Sequence, residues 1–175
     1  DEVETLLEEA RKVLEELRKK IKELNEDSKR VLEELEKRIR DLDRRSTEVL
    51  RRLEESDLDR KEVKKMLDDL RREYEDMERR IKEVLDELEK KYRELEKEID
   101  RAREELTKRL EDLKREGKST EELEDALRKI RKAVEELKKD VRRTLEEIKK
   151  EVKRLIEEAR RSLDKIRRDV EKRDE

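Results

Sequence analysis

The chain has 175 residues, of which 54 are Lys or Arg and 57 are Asp or Glu, so 63% is charged while the net charge is only −3. Only 30% is apolar. We expect no membrane segment, because a spanning helix needs about 20 consecutive apolar residues. We expect no nucleic-acid surface either, because the charges nearly cancel along the whole chain.

The first predicted helix covers about residues 2–56. Its repeat position Ala10, Ser28 and Ser46 carries small side chains, which allow two helices to approach closely. Ser28 and Ser46 could alternatively cap new helices. The apolar spacing passes through both serines without a change of phase, so we expect one continuous helix.

The second predicted helix covers about residues 59–116. Ser56 and Asp57 are typical turn residues, and Asp59 can cap the new helix with Glu62 three residues later, as in a capping box. Only a few residues separate the two helices, which favours an antiparallel pair.

The third predicted helix covers about residues 119–174. The chain's one glycine, Gly117, can adopt the left-handed conformation that ends a helix. Ser119 and Glu122 then form a second capping-box pattern. The sequence therefore predicts three helices of similar length, joined by two short turns into one domain that spans residues 1–175.

The apolar residues of the third helix recur every 3.6 residues on average. A left-handed coiled coil would repeat at about 3.5 and an 11-residue repeat at about 3.67, so this spacing predicts a straight helix with little supercoil. The stripe consists of Leu123, Leu127, Ile130, Val134, Leu137, Val141, Leu145, Ile148, Val152, Ile156, Ala159, Leu163, Ile166 and Val170.

Five turns of a straight α-helix take 18 residues, and an 18-residue repeat runs through the whole chain. It appears once or more in each predicted helix. Examples are Val3, Ile21 and Ile39, then Val63, Ile81 and Ile99, then Ile130, Ile148 and Ile166. The fold class predicted is all-α, an antiparallel up-down-up three-helix bundle.

Polar residues interrupt the apolar stripe at equivalent positions of the three helices. With short turns, three matching layers can be written: Leu7, Leu110 and Ala126; Asn25, Tyr92 and Thr144; Asp43, Tyr74 and Ser162. Where Tyr replaces Leu on the second helix, the other two helices change to hydrogen-bonding side chains. We predict two polar core layers in which each Tyr hydroxyl finds a partner. The alternative interpretation is that Asn25 and Asp43 flank the stripe in water.

Most catalytic and metal chemistry is excluded by composition. The chain has no His and no Cys, so nucleophilic triads and the usual zinc sites cannot be built. Pairs such as Glu15 with Glu16, or Glu157 with Glu158, could bind a hard cation weakly, but a calcium site needs six to eight converging oxygens. We expect no catalytic residue, no metal site and no cofactor.

These features together resemble a de novo, parametrically designed untwisted three-helix bundle. The resemblance rests on the 18-residue repeat, the short capped turns, the surface of Glu, Lys and Arg, and the absence of Pro, Cys, His, Phe, Trp and Gln. It implies a structural scaffold without natural activity, a monomer with no partner. The alternatives are a spacer like a spectrin repeat, or a lipid-binding or helix-binding module like an apolipoprotein.

Overall fold

The computed structural model describes residues 1–55 and 59–174, except for the side chains of residues 173 and 174. In this part of the chain there are three α-helices and no strand. They are α1 (Glu2–Glu55), α2 (Arg60–Arg115) and α3 (Thr120–Asp174). The turn residues Ser56 and Asp57 lie outside the described residues. The all-α three-helix bundle predicted from the repeat is confirmed.

A polar residue precedes each of the three helices, and the first two helices have a side-chain cap, as expected from the orphan N–H groups of a first turn. Asp1 accepts a 3.3 Å hydrogen bond from the Val3 amide through its carboxylate. Asp59 accepts one of 3.4 Å from the Lys61 amide, next to the first residue of α2. The carbonyl oxygen of Ser119 accepts the Leu123 amide at 3.2 Å and starts the backbone ladder of α3.

Gly117 follows the end of α2, and its backbone lies in the left-handed region with a φ of 86°. Its amide donates to the carbonyl of Lys114 at 3.2 Å, and the Lys118 amide donates to the carbonyl of Leu113 at 3.3 Å. This crossed pair of bonds is a Schellman motif, which satisfies carbonyls that the last helical turn would otherwise leave unpaired.

The first helix is continuous through Ser28 and Ser46. Both serines are buried, with exposed fractions of 1% and 7%, as is Ala10 at the equivalent position. The serines therefore act as small residues on the packed face, and the alternative in which they cap new helices is wrong.

The chain divides into two compact units, and each contains a stretch of all three helices. The first unit comprises residues 1–27 and 88–147, and the second comprises residues 28–87 and 148–175. In the first unit, α1 runs antiparallel to α2, because Glu9 pairs with Arg109 while Lys20 pairs with Glu98. In the second, Arg45 pairs with Glu73, which continues the same antiparallel numbering.

Helix α3 returns alongside α2 in the same way. In the first unit Glu96 pairs with Arg142 at 4.0 Å, and in the second Glu78 pairs with Arg160 at 2.6 Å. In these pairs the residue number on α3 rises as the residue number on α2 falls, so the two helices are antiparallel. The three helices therefore follow the predicted up-down-up order.

The core of each unit is built mainly from Leu, Ile, Val and Ala on the inner face of each helix, together with one buried tyrosine. The predicted stripe of α3 is only partly accurate, because Leu127, Leu145 and Val170 are half-buried. In addition, Leu155 is fully buried and Ile156 is only half-buried. Both lie one turn after Val152, at i+3 and i+4, so spacing alone could not separate them. Burial of Val84 on α2 was also missed.

No large apolar side chain is exposed anywhere in the described residues. None of the described helices contains an apolar stretch long enough to cross a bilayer.

Candidate functional site

The predicted polar positions lie at the boundary between the packed helix faces and solvent. In the first unit, the Tyr92 ring is completely buried on α2. Its hydroxyl donates a 2.8 Å hydrogen bond to the side-chain oxygen Oδ1 of Asn25 on α1. Asn25 is half-buried, and so is Thr144 at the matching position of α3. A buried phenol thus has its polar end at an amide that is within reach of water.

In the second unit, Tyr74 occupies the equivalent place on α2 and is 1% exposed. Its hydroxyl donates a 2.5 Å hydrogen bond to Oδ1 of Asp43 on α1. Asp43 is half-buried, as is Ser162 on α3. Hydrogen bonds to an ionised acceptor are shorter and stronger than neutral ones, and the two tyrosine bonds differ in length in that direction.

A fourth side chain belongs to the Tyr74 layer. Burial and the hydrogen bond to Asp43 raise the pKa of the Tyr74 phenol well above its ordinary value, whereas the nearby hydroxyls of Ser46 and Ser162 act to lower it. Ser46 Oγ is buried without a hydrogen bond of ordinary length and angle. Ser46 therefore lies close to Tyr74 without a well-formed bond to it.

Sequence reasoning placed Ser46 correctly as a small core residue but not in this layer. Its neighbour Asp43 lies three residues earlier, on the same face of α1, and this spacing could have grouped the two. The spacing of the apolar residues indicates only that α1 is continuous, and it does not predict the contact of Ser46 with Tyr74.

The third equivalent layer is apolar. Leu110 and Ala126 are buried and Leu7 is half-buried. The facing residues of α1 and α2 therefore change from one 18-residue repeat to the next. They are Leu7 and Leu110 in the first layer, Asn25 and Tyr92 in the second, and Asp43 and Tyr74 in the third. The backbone positions are equivalent, and the chemistry at each is different.

Ion pairs border the packed faces and cross from helix to helix. On the seam between α2 and α3, the acids lie on α2 and the bases on α3, as in Glu75 with Arg167 and Glu78 with Arg160. Burial raises the pKa of Glu78, but the hydrogen bond and charge of Arg160 outweigh it, so the net pKa is lowered. Glu151 also has a lowered pKa, because Arg154 donates hydrogen bonds to it.

These perturbed groups are partners in ion pairs on helix surfaces and do not converge on a cleft. The grooves that the described side chains form are shallow and lined by charged residues, such as the groove beside Lys20, Lys91 and Glu98. No group of three or more acidic residues within residues 1–55 and 59–174 is arranged to hold a metal ion. These ion pairs can hold neighbouring helices together.

Comparisons with known proteins agree with this architecture. No protein-family model matches the chain, and no curated protein matches it. A solved structure described as a "Computationally designed three helix bundle" is similar, with a TM-score of 0.54 and 19% sequence identity, over 98% of this chain and 80% of that one. The likeness at this identity concerns the fold, which is a bundle of three long helices.

Proposed function

We propose that this chain is a designed structural scaffold, a three-helix bundle without catalytic activity. The observation that carries the proposal is the 18-residue repeat, which continues through all three helices. A repeat of 18 residues equals five turns of a straight α-helix, so it keeps the apolar face on one side of the helix. Such a repeat sets the backbone geometry, and a catalytic site does not require it. The description of the similar solved structure as a designed bundle supports the same origin.

The burial pattern gives further support. The large apolar residues of the described helices face inward, and many of the surface charges are paired three or four residues apart, as in Arg40 with Glu36. Local propensity, apolar pattern and caps favour the same fold, which is a mark of sequences that specify one structure.

A melting experiment tests the scaffold proposal. We expect the helical signal at 222 nm to persist on heating well beyond the range of ordinary domains, which melt at about 45–65 °C. Light scattering should give the mass of a monomer, 21.7 kDa. Melting within or below that range would contradict a scaffold built for stability, and a higher mass would contradict the monomer.

Vesicle binding tests the competing function. A lipid-binding bundle opens and places its apolar faces on the bilayer. We expect no co-sedimentation with vesicles of neutral or anionic lipid, because the apolar faces are already buried against one another. Saturable co-sedimentation of the chain with vesicles would favour the apolipoprotein-like alternative instead.

We infer also that the chain behaves as one domain. Each helix is continuous from one compact unit into the other, so neither unit can lose its helices without fraying the helices of the other. Urea unfolding followed by far-ultraviolet dichroism and by tyrosine absorbance should give coincident transitions. Two separate transitions would show two domains.

A further inference from the structure

The apolar faces of α1 and α2 do not by themselves fix how the two helices are aligned. Leu, Ile and Val recur along both faces every three or four residues, so sliding one helix past the other by a turn brings similar side chains into contact again. Such a slip moves a helix by about 5.4 Å. The ends of the helices can absorb this shift by gaining or losing a turn.

The two tyrosine layers respond differently to a slip. In the observed alignment Tyr92 meets Asn25 and Tyr74 meets Asp43, both through hydrogen bonds. A slip of one turn in one direction would place the half-buried carboxylate of Asp43 beside Met77 and Glu78, without its donor. A slip of one turn in the other direction would place the Tyr74 hydroxyl beside the buried Ile39, without its acceptor. A buried polar group without a partner costs much more than an apolar contact that is merely exchanged for another.

The seam charges act in the same direction. In the ion pair of Glu9 and Arg109 the acidic residue lies on α1. In the ion pair of Arg45 and Glu73 the acidic residue lies on α2. These two pairs are two repeats apart, and the sign is reversed between them. A slip by a whole repeat would bring Arg45 opposite Lys91, and like charges would then face each other.

We propose that Tyr92 with Asn25 and Tyr74 with Asp43 are alignment keys, which hold α2 in a single register against α1. Their function is to exclude neighbouring registers, and their contribution to overall stability is secondary. A single buried polar residue is known to select register in helical assemblies at some cost in stability. The keys are placed once in each compact unit, at equivalent positions of the repeat.

A distance measurement between spin labels tests the keys. The chain has no Cys, so two labels can be attached without removing any native residue of that type. The label pairs are K12C with K91C in the first unit and K37C with K64C in the second, all at exposed positions. The keyless variant carries N25L, D43L, Y74L and Y92L, which makes both layers resemble the layer of Leu7 and Leu110.

The parent chain should give one narrow distance peak for each label pair. The keyless chain should remain helical and give a second peak displaced by about 5.4 Å, or a distribution broadened by that amount. The single-layer variant N25L/Y92L is the matched control: the remaining key acts along the same continuous helices, so it should keep one peak.

Two results would overturn the proposal. A keyless chain that keeps a single unshifted peak would show that apolar packing and turns fix the register alone. A keyless chain that no longer folds would show that the polar layers are needed for folding itself, which contradicts the assignment of a selective function.

Discussion

Tyr74 and Asp43 lie 31 residues apart on different helices, and a 2.5 Å hydrogen bond joins the phenol of one to the carboxylate of the other. The bond links a buried ring to a side chain that still reaches solvent. The equivalent bond of Tyr92 ends on a neutral amide and is longer, at 2.8 Å. The chain therefore contains two versions of one interaction that differ in the charge of the acceptor.

Removing the two hydroxyls in turn should separate these versions. We expect Y92F to lower the free energy of unfolding by about 1 kcal/mol, and Y74F by about 2 kcal/mol, because a hydrogen bond to a charged group is worth more. Urea titrations at pH 7 measure both. An equal loss in the two variants would show that the charge of Asp43 adds nothing.

The Tyr74 phenol should resist ionisation in the folded chain. Its pKa is raised by burial and by Asp43, whereas an exposed tyrosine ionises near pH 10. A raised folded pKa gives stability that is complete below about pH 10 and is lost as the pH rises through the folded value. Absorbance at 295 nm in the Y92F background should therefore change only well above pH 10.

The same titration in concentrated urea is the control. Tyr74 should then ionise near pH 10, because the unfolded chain neither buries the phenol nor holds Asp43 beside it. A folded-state titration that coincides with the urea titration would contradict the burial of the hydroxyl.

Ser46 offers a stabilising substitution. Its hydroxyl is buried without a well-formed hydrogen bond, and Ala already occupies the equivalent position 10. We expect S46A to raise the free energy of unfolding by about 1 kcal/mol, because the unsatisfied group is removed and Ala favours helix. The matched control is S28A: Ser28 is buried and has a partner, so it should gain less than S46A or lose stability.

The turn after α2 depends on the backbone freedom of Gly117. A side chain there would meet nothing within 4 Å, so space is not the constraint; the φ of 86° is. We expect G117A to lower the free energy of unfolding by about 1 kcal/mol, since an L-residue is strained in the left-handed region. G117N should lose less, because Asn tolerates that region better. Equal losses would point to a cause other than φ.

The ion pair of Glu78 and Arg160 should show a defined pH and salt dependence. Because the net pKa of Glu78 is lowered, its contribution is present above the ordinary pKa and is lost as pH falls through the folded value. E78Q should cost about 0.5 to 1 kcal/mol at pH 7 in low salt, and less in 1 M NaCl. The control E48Q removes a more exposed carboxylate that is paired with Arg51 on the same helix, and it should have a smaller effect than E78Q. A loss for E78Q that is independent of both pH and salt would exclude an electrostatic origin.

The fold could be predicted from the sequence because its signals are regular and agree with one another. Gly117 and Asp59 mark helix ends by conformation and capping, which are local properties. The choice between Leu155 and Ile156 was beyond such reasoning, because both fit the spacing and only the position of the neighbouring helices decides which side chain is buried.

The polar layers illustrate a different boundary. The sequence placed Tyr74 and Asp43 opposite each other because the repeat and the short turns relate their positions. The approach of Ser46 to the same hydroxyl depends on how far the phenol extends along α1, which is a matter of side-chain rotamers. A pattern of residue types carries no information about that distance.

The position of the two tyrosines has a practical consequence. The chain has no Trp, and each compact unit contains one tyrosine. Near-ultraviolet emission therefore comes from two chromophores, one in each unit, beside an amide in one case and a carboxylate in the other. The protein carries its own pair of optical reporters, so events in either part of the chain can be followed without attaching a dye.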